Sequence, residues 1–200
     1  DLSDVNNIKK NVIKVVQSEF ETVDILVVNS GGPKPGTFFD LSEEDWNISY
    51  NSILNYVIKL YGYIIPIMKQ NKWGRIINIT SLSVKEPAES LVLSNVFRTA
   101  LVSLSKTISR DLIKHNITIN NVCPGAFKTD RAIELMNERS KKTGESVEDI
   151  ELQAVENLPL GRYQDPSELG ALLAFLSSQQ ACGLTGTTIQ IDGGLYKGIF

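Results

Sequence analysis

Short apolar runs alternate along this chain with longer segments whose apolar residues recur every three or four positions, and that alternation admits few folds. Residues 24–29, 75–80, 117–122 and 187–191 read as strands, and the segments between them read as helices or loops. The first run, Asp24-Ile25-Leu26-Val27-Val28-Asn29, is apolar on both faces, as expected of a strand buried between two helical layers. Strand–helix alternation predicts an α/β fold built on a doubly wound parallel sheet, in a single domain over 1–200. In such sheets ligands bind beyond the carboxyl ends of the strands, and the turns after Asn29, Thr80 and Val122 all lie on that edge. Three strand ends are therefore expected to converge on one crevice.

The helical segments carry their own signals. Asp1 or Ser3 is placed to cap a first helix bearing Ile8, Val12, Val15, Val16 and Phe20. Ser42, followed by Glu43, Glu44 and Asp45, caps a second, which bears Trp46, Tyr50, Leu54, Val57, Ile58, Tyr61 and Ile65 and ends near Asn71. That apolar surface is wider than one stripe, so it predicts packing on the sheet and also on a partner. Residues 92–114 form the next helix, with Val96, Ala100, Leu104, Ile108 and Leu112 on one face. Residues 128–158 are charged, with two weak helical patterns parted by Thr143-Gly144, and their position predicts a lid. Asp165-Pro166-Ser167-Glu168 starts a helix whose Leu169, Leu172, Leu173 and Leu176 face the core.

Composition narrows the partners. A net charge of −3 without a dense Lys/Arg block argues against nucleic acid and against a polybasic membrane surface. No apolar run approaches the ~20 residues of a membrane span, so the expectation is a soluble, cytoplasmic protein acting on small molecules. Cys123 and Cys182 stand apart without metal-site or redox spacing and read as buried free thiols; no metal is expected. His115, after Lys114 at a helix end, suits the helix dipole.

Ser81 ends the 75–80 strand, and thirteen residues on Ser94-Asn95-Val96-Phe97-Arg98 opens a long helix. This arrangement resembles the active-site core of the short-chain dehydrogenase/reductase family, and in particular its 3-oxoacyl-[acyl-carrier-protein] reductase-like members. Asn29-Ser30-Gly31-Gly32 is similar to the family's Asn-Asn-Ala-Gly turn beside the adenosine. Pro124-Gly125-Ala126-Phe127-Lys128-Thr129 resembles its Pro-Gly loop, which holds the nicotinamide carboxamide, and Asp192-Gly193-Gly194 matches its last turn. The resemblance implies a Rossmann-like fold, NAD or NADP as cofactor, a small carbonyl or hydroxyl substrate, and a homodimer or homotetramer built on the helices after Ser42 and before His115. It implies cofactor contacts at Asn29, Gly31, Gly32, Arg98, Pro124, Gly125 and Thr129.

The departures from the family are as informative. Ser94 stands where the family has its proton-donating tyrosine, Arg98 where it has the lysine that lowers the tyrosine pKa, and Ile53 where it has asparagine, with Asn51 and Asn55 on either side. Ser81 alone is retained. A serine hydroxyl is a far weaker acid than a phenol, and arginine does not release a proton. The candidate catalytic residues are Ser81, Ser94 and Arg98; Lys85 and Glu86 are substrate-side candidates, with Lys85 a replacement acid. Each has a plainer reading: Ser81 as a strand-end cap, Ser94 and Asn95 as helix-start residues, Gly31-Gly32 as a turn, and Lys85 with Glu86 as a solvated pair.

No Gly-x-x-x-Gly-x-Gly phosphate loop occurs in the sequence, and the chain begins at Asp1 without methionine. The expectation is a piece of a longer protein, with two leading strands upstream and the 24–29 strand left as a sheet edge. Two functions remain open on these residues. One is an NAD(P)-dependent oxidoreductase with an atypical site; the other is a catalytically inactive relative that serves as a ligand-binding or oligomeric scaffold.

Overall fold

In a computed structural model that describes residues 7, 8, 12–20 and 22–199, four parallel strands form one sheet. They are β1 (Ile25–Val28), β2 (Gly74–Ile79), β3 (Ile117–Pro124) and β4 (Thr188–Ile191), paired in the order β1-β2-β3-β4. The helices are α1 (Lys14–Glu19), α2 (Glu43–Ser49), α3 (Tyr56–Asn71), α4 (Val92–Leu112), α5 (Asp130–Thr143), α6 (Val147–Glu156) and α7 (Pro166–Ser177). This is the expected α/β architecture. The caps read at Asp1 or Ser3 lie outside the described residues.

Side chains alternate across the sheet and so feed two cores. Ile76, Ile117 and Ile119 pack with α3 and α4 on one face, while Ile77 and Val122 pack with Leu176 of α7 on the other. Helix starts obey the local chemistry: the Ser42 hydroxyl accepts from the Asp45 N–H at 3.2 Å and the Asp45 carboxylate accepts from the Ser42 N–H at 2.9 Å. Asp165 and Glu168 form the same reciprocal cap, with Pro166 at the first helical position.

Several expectations need correction. β1 is not covered on both faces: Ile25 and Val27 are 46% and 43% exposed, because β1 is the sheet edge and no helix lies over that side among the described residues. The α1 stripe is displaced. Val12, Val15 and Phe20 are exposed, while Ile8 and Ile13 enter the core. The helix read as continuous from Ser42 to Asn71 contains a π-turn at Tyr50–Asn55, and its extra residue rotates the rest of the helix, so that Tyr56, Val57, Leu60, Tyr61 and Ile64 face inward and Ile58 outward. On α4 the sheet-facing row is Leu93, Leu101, Ser105, Ser109 and Leu112, and Val96 is exposed. The two serines are buried because their hydroxyls donate to carbonyls of their own helix, Ser105 to Leu101 and Ser109 to Lys106, each at 2.8 Å. Their small size lets α4 lie close to β3. Cys123 is buried as expected, but Cys182 is exposed at the surface beyond α7.

The core also carries a polar chain that joins α3, α4 and the sheet. The Tyr61 hydroxyl donates to Asn78 Oδ1 at 2.6 Å, and Asn78 Nδ2 donates to Ser105 Oγ at 2.9 Å and to Asn121 Oδ1 at 3.0 Å. Each buried polar atom in that chain has a partner, so it fixes helix register without an orphaned group.

Candidate functional site

Pairing between β1 and β2 ends at Val28 and Asn78. Beyond it the turn at 29–33, the β2 end, the first turns of α4 and the segment after β3 enclose a crevice of about 520 Å³. Asn29, Gly32, Ser81, Ser94, Arg98, Pro124, Gly125 and Thr129 all line it. The strand-end expectation is met. Gly31 is the one candidate among these that does not; it contributes its carbonyl to Arg98 instead.

Ser81 has an extended backbone and its Oγ accepts from the Ser83 N–H at 3.1 Å, starting a short turn over Leu82–Val84. The strand-end role is therefore real, and it leaves the hydroxyl hydrogen of Ser81 free to donate. Ser94 lies in the first turn of α4 but does not cap it, since Leu91 is the N-cap and makes no side-chain bond. Its Oγ instead shares a 3.2 Å hydrogen bond with Ser83 Oγ, both side chains being buried. Ser83 was not singled out from the sequence. The Ser-x-Ser spacing at the end of β2 was the available signal, since it lets the second hydroxyl fold back toward the α4 start. Asn95 Nδ2 donates to the Ala88 carbonyl at 2.8 Å, which ties the intervening loop to the helix.

Arg98 is 6% exposed. Its Nη1 donates to the carbonyls of Ile79 and Thr80, each at 3.1 Å, and its Nη2 to those of Ser30 at 3.4 Å and Gly31 at 3.3 Å. Burial draws its pKa below the usual arginine value. Under the crevice floor the Cys123 thiol lies 3.2 Å from Thr80 Oγ1, and burial pushes its pKa up, so it is not an activated nucleophile.

The far wall is held by close backbone approach. The Gly125 N–H donates to the Ile191 carbonyl at 2.9 Å, and a β-carbon on Gly125 would stand 2.6 Å from Asp192 Cα. The Asp192 carboxylate accepts from the Gly194 N–H at 3.0 Å and from the Tyr196 N–H at 2.8 Å, which turns the chain back toward Ser81. Thr129 Oγ1 accepts from the Ala132 N–H at 3.3 Å and caps α5 at the crevice rim.

A second crevice of about 520 Å³ shares Ser81, Leu91, Pro124 and Gly125 with the first and continues along Leu82, Pro87, Ala88, Ala126 and Leu195, with Glu86 as its one charged residue. Lys85 lines neither crevice; its Nζ stands 5.5 Å from the Tyr196 ring centroid. Ile53 is buried within the π-turn at 1% exposure. Asn51 and Asn55 hydrogen-bond to each other at 2.8 Å and line neither crevice. Among the described residues no cluster of His, Cys, Asp or Glu is placed to hold a metal, and no helix is long and apolar enough to cross a membrane.

Known proteins resemble this chain along nearly its whole length. The family model described as enoyl-(acyl carrier protein) reductase matches residues 1–196. The NADPH-dependent reductase BacG of Bacillus subtilis is 34% identical over 199 residues, covering 100% of this chain and 76% of the relative. The 3-oxoacyl-[acyl-carrier-protein] reductase FabG of Staphylococcus epidermidis is 30% identical over 189 residues, covering 94% and 72%. Among solved structures, L-sorbose reductase from Gluconobacter frateurii, complexed with NADPH and L-sorbose, superposes with a TM-score of 0.94 at 28% identity, covering 100% of this chain and 76% of that one. With a family model spanning nearly every residue and relatives at 30% identity or more along most of their own length, the chain belongs to the short-chain dehydrogenase/reductase family.

Proposed function

We propose that the protein is an NAD(P)-dependent reductase of a small carbonyl substrate, with an atypical site in which Ser81 faces the substrate and Ser94 and Arg98 hold the surrounding backbone and side chains in place. The carrying observation is that Ser81 stands where the two crevices meet, one lined by the turn at 29–33 and the segment 124–129, the other by apolar side chains. The residues present fit the cofactor at the 29–33 segment, which the resemblance sets beside the adenosine and which lines the crevice. A β-carbon on Gly32 would meet no protein atom within 4 Å, so the backbone there is open to a ligand in the crevice. NADPH is the first cofactor to test, because BacG and L-sorbose reductase carry it in their descriptions.

When bound, the nicotinamide supplies the hydride. The Ser81 hydroxyl then donates a hydrogen bond to the substrate oxygen, backed by the Ser83–Ser94 pair. Neither hydroxyl is acidic enough to replace a phenol, so the proton comes from water, and turnover on simple ketones is low. The substrate body lies along Leu82, Pro87, Ala88 and Leu195, with a hydrogen-bond donor toward Glu86. Helices α5 and α6, joined by a hydrogen bond of 2.6 Å from Arg139 Nη2 to Gln153 Oε1, serve as a lid over the rim.

Titrating the protein with NADPH and NADH, followed by hydrogen exchange, tests this reading. Saturable binding together with slower exchange in α5 and α6 is expected. A protein that binds neither nucleotide would be a scaffold instead.

We place a second copy of the chain on α3 and α4, where Ile58, Gly62, Ile65, Pro66, Leu104 and Ile108 line an apolar groove of about 320 Å³. Sedimentation at micromolar concentration is expected to give a dimer or tetramer, and Ile58→Glu with Ile65→Glu to give monomer. A wild-type monomer would remove this assignment.

A further inference from the structure

Where β1 and β2 stop pairing, α4 inserts a guanidinium in place of a strand partner. Arg98 gathers the carbonyls of Ser30 and Gly31 from one side and of Ile79 and Thr80 from the other, at 3.1–3.4 Å. Among the described residues no carboxylate lies within ion-pair distance of it, so its charge is balanced by backbone dipoles. Tyr56, buried on α3, lies close enough for Ser30 and the Arg98 charge both to act on its hydroxyl. The bonding is specific to the fork. Arginine offers five N–H donors spread over three nitrogens in a plane, whereas lysine offers three from a single point and cannot reach both turns at once.

Given the reading of the crevice as a cofactor site, we propose that Arg98 is a positioning residue. It braces the 29–33 turn against the end of β2 and so sets the width of the cofactor crevice, without contacting the reacting atoms.

Arg98→Lys and Arg98→Ala are the test, with three readouts: amide exchange at 29–33 in cofactor-free protein, the cofactor KM, and kcat at saturating cofactor. Both variants are expected to exchange faster at 29–33 and to raise the cofactor KM by at least ~10-fold, the scale of lost hydrogen bonds to a charged group. Any fall in kcat should be smaller than the rise in KM. Lysine keeps the charge yet should behave like alanine, and millimolar guanidinium should restore protection to the alanine variant. A lysine variant with wild-type exchange and wild-type KM would overturn the proposal, since charge alone would then suffice. A fall in kcat at unchanged KM would overturn it as well, by assigning Arg98 to the chemical step. Should the arginine variants fail to fold, Tyr56→Phe decides: it removes the hydroxyl beside Ser30 and leaves Arg98 in place, so 29–33 should keep wild-type exchange, and faster exchange there would give the bracing to Tyr56 rather than to Arg98. If the wild-type protein binds no nucleotide, the cofactor reading fails by itself and the exchange measurements still decide the brace.

Discussion

Replacing Ser81 with alanine is expected to lower cofactor-dependent turnover by ~10²–10⁴, the range for loss of an acid–base or orienting element. Ser81 lines both crevices, and the resemblance makes it the one retained group of the family's four. Its Oγ accepts the Ser83 N–H, so its hydroxyl hydrogen remains available to a substrate oxygen. The same substitution removes one turn hydrogen bond, which costs about 1 kcal/mol of stability. Denaturation and kinetics measured on one sample therefore separate the two roles. A large rate loss with a small shift in stability assigns Ser81 to the reaction; a rate loss under ~10-fold leaves it as a strand-end cap. Ser94→Ala should be milder, because Ser94 acts through Ser83.

Gly125→Ala is the second large effect, and it acts through packing. The added β-carbon would stand 2.6 Å from Asp192 Cα, 2.8 Å from its Cβ and 2.9 Å from its carbonyl oxygen. None of these can swing aside as a side-chain tip would. Asp192 is pinned by its bonds to the Gly194 and Tyr196 amides, and Gly125 by its own to Ile191. Either wall must move, and both border the crevices. We expect a loss of about 1–3 kcal/mol in urea unfolding, as for an overpacked core, together with weaker cofactor binding. Gly32→Ala is the contrasting variant. Its β-carbon meets no protein atom, so stability should hold while cofactor affinity falls. Equal stability of the two variants would contradict this account of the far wall.

Much of the fold is readable from the residues alone. The four strand runs fall within two residues of the observed β1–β4, because each carries clustered β-branched residues in a short run bounded by turn signals. Ser42 with Asp45 and Asp165 with Glu168 cap as their spacing dictates, since capping is settled within one turn of helix. The crevice at the strand ends is a consequence of topology alone, and eight of the nine catalytic and cofactor candidates line it.

The sequence by itself determined these local matters: strand and helix identity, the capped starts, and the sheet edge at which the candidate residues gather. Only the tertiary structure decided which face each helix buries. The π-turn at Tyr50–Asn55 shifts the register of α3, and Ser105 and Ser109 look polar but turn inward once their hydroxyls are bonded to their own helix. Hydrophobic periodicity cannot register either effect. The same holds for the site. That Ser83 meets Ser94, that Lys85 turns to Tyr196, and that Arg98 spends its donors on four carbonyls depends on elements far apart in the chain. Buried polar groups take whatever partners packing brings within reach, and packing is a property of the assembled fold.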